Sequence, residues 1–191
     1  MYVAKNFKNL LGIAGFSDNL LNTHFGLYEG YVKNTNTLLE RLQTLTTEGK
    51  TGPGEFAELK RRFGWEYNGM RLHELYFENM IKNGAELDEK SKINKLIAQS
   101  FGSFANWKKD FVATGAMRGI GWAILAHDKQ TDTLFNVWIN EHDVGHLTGA
   151  APLLVMDVFE HAFILDYSMK RADYIEAFMK AIDWDKVNER F

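Results

Sequence analysis

The segment Pro152-Leu-Leu-Val-Met156-Asp157-Val-Phe-Glu160-His161 joins a short apolar run to a carboxylate and an imidazole. The run predicts a buried strand over residues 152–158, unlike the helical patterns that dominate the rest of the chain. An aspartate at the end of such a strand needs a partner or a metal ion, because an unpaired buried carboxylate is strongly destabilising. His161 follows where the chain is expected to turn into a helix, so Asp157 and His161 can converge on one ion.

The composition restricts the chemistry of any such site. The chain of 191 residues is 46% hydrophobic and 25% charged, as in ordinary globular proteins. It has no cysteine, which excludes disulfides, iron–sulfur clusters and thiolate metal sites. Any metal ligands must therefore be nitrogen and oxygen atoms.

Charge and hydropathy restrict the kinds of partner that the chain is expected to bind. The net charge is −3, and no basic stripe suggests nucleic-acid binding. The first eight residues lack the apolar core of a signal peptide. The most apolar stretch, residues 149–159, contains Asp157 and is too short to span a bilayer. We expect a soluble cytoplasmic protein that binds neither nucleic acid nor membrane.

Two further histidines, His24 and His73, lie inside predicted helices. A lone helical histidine is more often a hydrogen-bonded core residue than a ligand. Together with Asp157 and His161, however, they would complete a site of three imidazoles and one carboxylate, which suits iron, manganese or zinc rather than calcium or magnesium.

The remaining histidines are weaker candidates. His142 and His146 are four residues apart, a spacing that on a helix could bind zinc. Gly145 and Gly149 argue against a helix there, and the order is not that of a metalloprotease motif. His127 is expected to be solvated in a polar turn.

The first half of the chain predicts an antiparallel helical hairpin. Ser17 is a favourable N-cap, and apolar residues recur at helical spacing from there to about residue 45. After a loop over residues 49–54, a second helix is expected from about 55 to 82, with a possible break near Gly64. We expect a domain boundary in residues 83–88, which gives an N-terminal domain of residues 1–83 and a C-terminal domain of residues 84–191.

The second half mixes helices and strands. Helical segments are predicted at residues 88–101, 103–112 and 174–180, and a short turn near Trp184. Strand-like runs, rich in β-branched and aromatic residues, cover residues 122–126 and 133–139, with a turn at 127–132 between them.

The run from Asp157 to Tyr167 closely resembles the D-V-W-E-H-A-Y-Y-x-D-Y signature of iron/manganese superoxide dismutases. Other stretches match in the same order: His24-Phe-Gly26, Tyr31-Val32, Asn34-Thr-Asn36, His73 with Tyr76, Phe101-Gly102-Ser103-Phe104, Gly121-Trp122 and Pro152-Leu-Leu. The resemblance implies an α+β fold, with the N-terminal hairpin followed by an α/β domain that contains a three-stranded antiparallel sheet.

The resemblance also implies a function and a ligand set. The ligands by position are His24, His73, Asp157 and His161, holding one iron or manganese ion per subunit. The reaction converts superoxide to dioxygen and hydrogen peroxide. Zinc has no accessible redox change and would give an inactive protein.

Several positions depart from the family pattern. Phe159 and Phe77 replace tryptophans, and Gly69 stands where iron enzymes have a glutamine. The glutamine of manganese enzymes falls nearest His142, so we expect that histidine to take its place. Val155 favours iron whereas Gly69 favours manganese, and we therefore expect use of either metal.

The surrounding roles follow by resemblance. Trp122 is expected to wall the site, and Arg171 to supply positive charge for the superoxide anion. The gateway tyrosine is Tyr31, one residue earlier than usual relative to His24. Because an α-helix turns about 100° per residue, the first helix should be regular α between them, with the Tyr31 hydroxyl directed towards His142. Tyr28 should lie on the same face; both tyrosines could instead be core aromatics.

The resemblance further implies a symmetric homodimer, although a tetramer is possible. In the family the glutamate of the E-H pair, here Glu160, contacts the ligand histidine of the partner, here His161. A second link joins a histidine to a tyrosine, but those positions here are Tyr28 and Ile164. Two other functions stay open: a non-redox metalloprotein, such as a hydrolase or a metal store, and an inactive structural homologue.

Overall fold

The computed structural model describes residues 1–84 and 86–191 and begins with a helical hairpin. Helix α1 spans Asp18–Thr47 and helix α2 spans Glu55–Glu78. The Ser17 hydroxyl accepts a hydrogen bond from Leu20 N at 3.0 Å, which satisfies a backbone donor at the start of α1. The predicted hairpin and its N-cap are confirmed.

Helix α2 differs from the prediction at its C-terminal end. It continues unbroken through Gly64, the one place where the sequence leaves a break open, and it ends at Glu78 rather than near residue 82. The next residues leave the helix because they pair elsewhere: Met80 bridges to Ile182, and Ile81 N donates to Ala181 O at 2.9 Å. Tertiary pairing therefore ends the helix where no glycine or proline does.

Among the described residues, the second half contains five α-helices and three strands. In chain order these are α3 (Lys92–Phe101), α4 (Phe104–Gly115), β1 (Gly121–Asp128), β2 (Thr133–Asn140), β3 (Ala150–Asp157), α5 (Ile164–Tyr167), α6 (Arg171–Ala181) and α7 (Trp184–Glu189). Helix α3 begins later than predicted because Ser91 caps it, accepting from Asn94 N. Within the expected boundary segment, Ala85 lies outside the described residues.

The three strands form one antiparallel sheet in the order β2-β1-β3. Trp122 in the central strand pairs with Ile139 on one side and Asp157 on the other. The register therefore brings Trp122 and Asp157 to the same end of the sheet.

The buried Asn79 joins the end of α2 to β3. Its Nδ2 donates to Val155 O, and its Oδ1 accepts from Val155 N, both at 3.0 Å. Arg190 donates to the same Oδ1 and to Leu153 O, at 3.0 and 2.9 Å. These bonds fix the helix that carries His73 against the strand that carries Asp157.

His127 is not solvated, contrary to the expectation from the sequence. It belongs to β1, is 4% exposed, and its Nε2 lies 2.9 Å from Asp132 Oδ1. Its ring stacks on Phe191 with the centroids 4.7 Å apart. The end of the chain therefore covers it.

Among the described residues, no helix combines the length and the apolarity needed to cross a bilayer.

Candidate metal centre

Four side chains from the two helices of the hairpin and from the segment around the end of β3 meet in one place. His24 comes from α1, His73 from α2, Asp157 from the end of β3, and His161 from the turn that follows. One ligand atom from each lies within 4.8 Å of the others. Three of the four residues are buried, and the His161 side chain is 25% exposed.

The three imidazoles surround one carboxylate oxygen. The Nε2 atoms of His24, His73 and His161 lie 3.2, 3.6 and 3.0 Å from Asp157 Oδ2. His73 Nδ1 lies 2.6 Å from Gly69 O, so Nδ1 carries the proton and donates it, and the lone pair of Nε2 faces the cluster. Asp157 Oδ1 accepts from Phe159 N at 2.9 Å, which orients the carboxylate.

The donor set fits a cation. Within residues 1–84 and 86–191, His24 Nε2 and His73 Nε2 are buried with no hydrogen-bond partner. Buried polar atoms are rarely left in this state without an ion or water to bind them. Three nitrogens and one carboxylate oxygen suit iron, manganese or zinc.

The protonation states point the same way. Burial lowers the pKa of both His24 and His73, which keeps these imidazoles neutral. Burial would raise the pKa of Asp157, but the nearby imidazoles of His161 and His24 outweigh it and hold that pKa well below its usual value. Neutral imidazoles and an ionised carboxylate are the forms that bind a metal ion.

Aromatic rings enclose the cluster. Phe77 lies 4.9 Å from the His24 ring, Trp122 lies 5.0 Å from the His73 ring, and Phe159 stacks on His161 at 5.0 Å, all measured between centroids. Phe77 and Trp122 are almost fully buried. These rings exclude water from the sides of the site and lower its effective dielectric constant.

Tyr31, His142 and Trp122 form a hydrogen-bonded chain beside the four ligands. Trp122 Nε1 donates to His142 Nδ1 at 3.0 Å, so the proton of the neutral ring is on Nε2, which lies 2.7 Å from the Tyr31 oxygen. His142 therefore donates to Tyr31, and the hydroxyl proton of Tyr31 is free to donate elsewhere. Burial lowers the pKa of His142 to about 4 and raises that of Tyr31 to about 12.

The expected contact between Tyr31 and His142 is therefore present, and α1 is a regular α-helix across His24 and Tyr31. Gly69 makes room for this arrangement. A Cβ on Gly69 would lie 2.6 Å from Tyr31 Cδ1, and the Tyr31 ring stacks on His73 with centroids 5.2 Å apart. The glycine that departs from the iron pattern is thus the residue over which Tyr31 lies.

Tyr28 is buried near His73, with the two ring centroids 6.5 Å apart. Its hydroxyl donates to Glu74 Oε1 and accepts from Lys5 N, both at 3.0 Å. Burial raises its pKa to about 12.

The side chains of Arg171 and His146 contact backbone carbonyl oxygens rather than the four candidate ligands. The Arg171 guanidinium donates to Met117 O and Gly119 O at 2.7 and 2.9 Å. His146 contacts the backbone oxygen of His142, whose two ring nitrogens are already engaged. The alternative zinc pair of His142 and His146 is therefore not assembled.

The sequence reading missed Trp65, whose ring centroid lies 4.8 Å from that of His142. Trp65 and Gly69 are four residues apart on α2, and His73 is four further on, so all three share a face of the helix. That spacing could have identified it.

Comparison with known proteins gives one consistent result. A family model described as iron/manganese superoxide dismutases, C-terminal domain, matches residues 89–190. The chain is similar to a superoxide dismutase [Fe] of Aquifex pyrophilus, 38% identical over 184 residues, covering 94% of the chain and 85% of the relative. It is also similar to superoxide dismutase [Mn] 2 of Haloferax volcanii, 34% identical over 92% of the chain and 86% of the relative. A superoxide dismutase [Fe] of Saccharolobus solfataricus is 33% identical over 91% of the chain and 84% of its own length.

Proposed function

The chain belongs to the iron/manganese superoxide dismutases, and from this premise we propose that His24, His73, Asp157 and His161 hold its one iron or manganese ion. The enzyme converts superoxide to dioxygen and hydrogen peroxide. The observation that carries the ligand assignment is the convergence of three Nε2 atoms on Asp157 Oδ2, two of them without a hydrogen-bond partner among the described residues.

A bound iron or manganese ion supplies one-electron exchange, because each has accessible trivalent and divalent states. The chain supplies the environment. Asp157 contributes an anion that favours the higher charge state, and the Gly69 carbonyl fixes the tautomer and orientation of His73. The buried rings of Phe77 and Trp122 keep bulk water away.

We assign proton handling to Tyr31 and His142. His142 Nε2–H donates to the Tyr31 oxygen, which leaves the hydroxyl proton free for a molecule bound at the site. With a pKa of about 12, Tyr31 stays protonated at neutral pH and can act as a proton donor. Trp122 holds His142 in the required tautomer.

We assign Arg171 a fixed positive charge that favours approach of the superoxide anion. Its hydrogen bonds to two backbone carbonyls hold the guanidinium in place. Tyr28 positions the ligand helices, since its hydroxyl connects α1 with Glu74 on α2.

We propose a homodimer, with a tetramer as a further possible assembly. Glu160 is exposed, and Nε2 of His161 faces Asp157, which leaves Nδ1 of His161 for a partner. Ile164 and Leu165 are 43% and 51% exposed beside them and would be covered in the dimer. Ile164 cannot form a polar link to Tyr28, whose hydroxyl is already bound to Glu74.

Residues 1–83 and 84–191 are proposed as the two domains, and a cytoplasmic location is proposed from the composition.

The test of function is a metal analysis and a superoxide-dismutation assay on the same sample. Activity with iron and with manganese would support use of either metal. Metal-loaded protein without activity would instead support a non-redox role, and metal-free, inactive protein an inactive homologue.

A further inference from the structure

Arg62 lies over the ring of Trp65, which contacts His142, although nothing in the sequence pattern placed it there. Its guanidinium carbon is 4.9 Å from the centroid of the Trp65 ring. The Trp65 ring in turn lies 4.8 Å from the His142 ring, nearly perpendicular to it. The indole of Trp65 therefore contacts both a permanent positive charge and the imidazole that bonds Tyr31.

A buried carboxylate holds Arg62 in this position. Glu66 Oε1 accepts from Arg62 Nε at 2.8 Å and lies 2.6 Å from Nη2. Asn34 donates to the other oxygen of Glu66 at 3.2 Å. The Glu66 side chain is 5% exposed, whereas that of Arg62 is 50% exposed. The cation is anchored at one edge and open to solvent at the other.

The electrostatic influence of Arg62 reaches the proton-handling pair. Burial is the largest influence on the pKa of both His142 and Tyr31, and the charge of Arg62 lowers both. By contrast, the guanidinium of Arg171 contacts the Met117 and Gly119 carbonyls and the Phe163 ring.

A pair spaced i,i+4 on a helix is commonly no more than a solvated ion pair. Two features separate Arg62 and Glu66 from that case. Glu66 is buried, and Trp65 places the guanidinium in contact with the aromatic wall of the site. An exposed cation at such a wall raises the local concentration of a small anion.

We propose that Arg62 guides the superoxide anion to Tyr31 and His142, with Glu66 and Trp65 as the residues that position it. This inference rests on the dismutase function of the chain and adds a substrate-guiding residue to it.

The test uses a neutral background, so that loss of the ion pair is separated from loss of the cation. Glu66→Gln already breaks the charged pair, and Glu66→Gln/Arg62→Gln then removes only the positive charge. In the metal-loaded enzyme, the second substitution should lower the second-order rate constant at low salt by about twofold to fivefold and weaken its salt dependence. Arg61→Gln is the matched control, because Arg61 is exposed and pairs with Glu58.

Two binding readouts do not depend on turnover. The dissociation constant of azide for the metal-loaded enzyme should rise by a similar factor in the double variant. Iodide quenching of Trp65 fluorescence in the full chain, relative to quenching by neutral acrylamide, should fall. Trp65→Phe identifies the contribution of Trp65 to the signal.

Equal values for the double variant and Glu66→Gln in all three measurements would overturn the proposal, as would an equal loss in Arg61→Gln. If Glu66→Gln does not fold, Arg62→Lys should recover what Arg62→Gln loses, and equal losses in both would overturn it. Anion binding that changes as expected in a protein without dismutase activity would contradict the function and leave Arg62 as an anion-attracting residue.

Discussion

The hydroxyl of Tyr31 lies 2.7 Å from Nε2 of His142, which joins the first helix to the segment after the second strand. Because Trp122 occupies Nδ1, the bond has one direction, from His142 to Tyr31. The ring of Tyr31 reaches this position only by lying across Gly69.

Replacing Tyr31 by Phe should change both activity and stability. The Nε2–H of His142 would lose its acceptor in a buried position, which costs about 1–3 kcal/mol. The proton donor of the site would also be lost, so the pH dependence of the rate should change at alkaline pH. Steady-state kinetics over pH and denaturant unfolding measure the two effects. Unchanged kinetics and an unchanged pH profile would refute the role of Tyr31.

Replacing Gly69 by Ala should displace Tyr31. The added Cβ would meet the Tyr31 ring, and overpacking of this kind costs about 1–3 kcal/mol. Gly64→Ala on the same helix is the control, since a Cβ there meets nothing within 4 Å and should stabilise the helix by about 0.5–1 kcal/mol. Thermal unfolding and the activity of both variants test this. Equal effects of the two substitutions would contradict the packing argument.

Replacing Asp157 by Asn should abolish metal retention and activity while it preserves the shape of the side chain. The three imidazoles would then lack the anion that balances a cation. Metal per subunit, measured after dialysis, should fall to near zero. Asp166→Asn is the control, because Asp166 bonds Ser17 rather than the cluster and should leave the metal content unchanged. A metal-loaded, active Asp157→Asn or Asp157→Ala enzyme would sink the ligand assignment.

Acid should destabilise the protein through His142. Burial lowers its folded pKa to about 4 from 6.5, so between these pH values the unfolded chain binds more protons at this residue. The contribution of His142 to the free energy of unfolding is therefore fully present above pH 6.5. It is lost as the pH falls towards 4, by roughly 1–3 kcal/mol. The free energy of unfolding from pH 4.5 to 7.5 should have a shallower slope in metal-free His142→Gln than in metal-free wild type. Identical slopes would show that His142 is not the group responsible.

Replacing Glu160 by Ala should weaken the dimer. The substitution removes the carboxylate proposed to bond His161 of the other protomer, and sedimentation equilibrium should show a larger dissociation constant. Glu176→Ala removes another exposed charge, from α6, and should have no effect. A wild-type enzyme that is active as a monomer would contradict the proposed assembly.

Local signals in the sequence predicted most of the elements. The side chains of Ser17 and Ser103 accept backbone hydrogen bonds at the starts of α1 and α4. The strand-like runs at 122–126 and 133–139 are strands of the sheet. The predicted end of α2 and the predicted solvation of His127 were wrong. Both features depend on residues distant in sequence, namely Ile182 and Phe191.

Some residues of the site could likewise be predicted from the sequence, and others could not. The four candidate ligands could be predicted because their spacing and the family resemblance lie in the sequence itself. Arg62 could not be assigned a role, because only the folded chain places its guanidinium over Trp65 next to His142.

The double hydrogen bond between Asn79 and the backbone of Val155 has a consequence for folding. A side-chain amide here substitutes for a neighbouring strand, so the helical hairpin and the sheet share one interface at the point where α2 stops. Neither half can open there without exposing the paired amide of the other. Hydrogen exchange at Val155 N–H should therefore report global unfolding, and the parts of the chain that supply the metal ligands should be lost together as one cooperative unit.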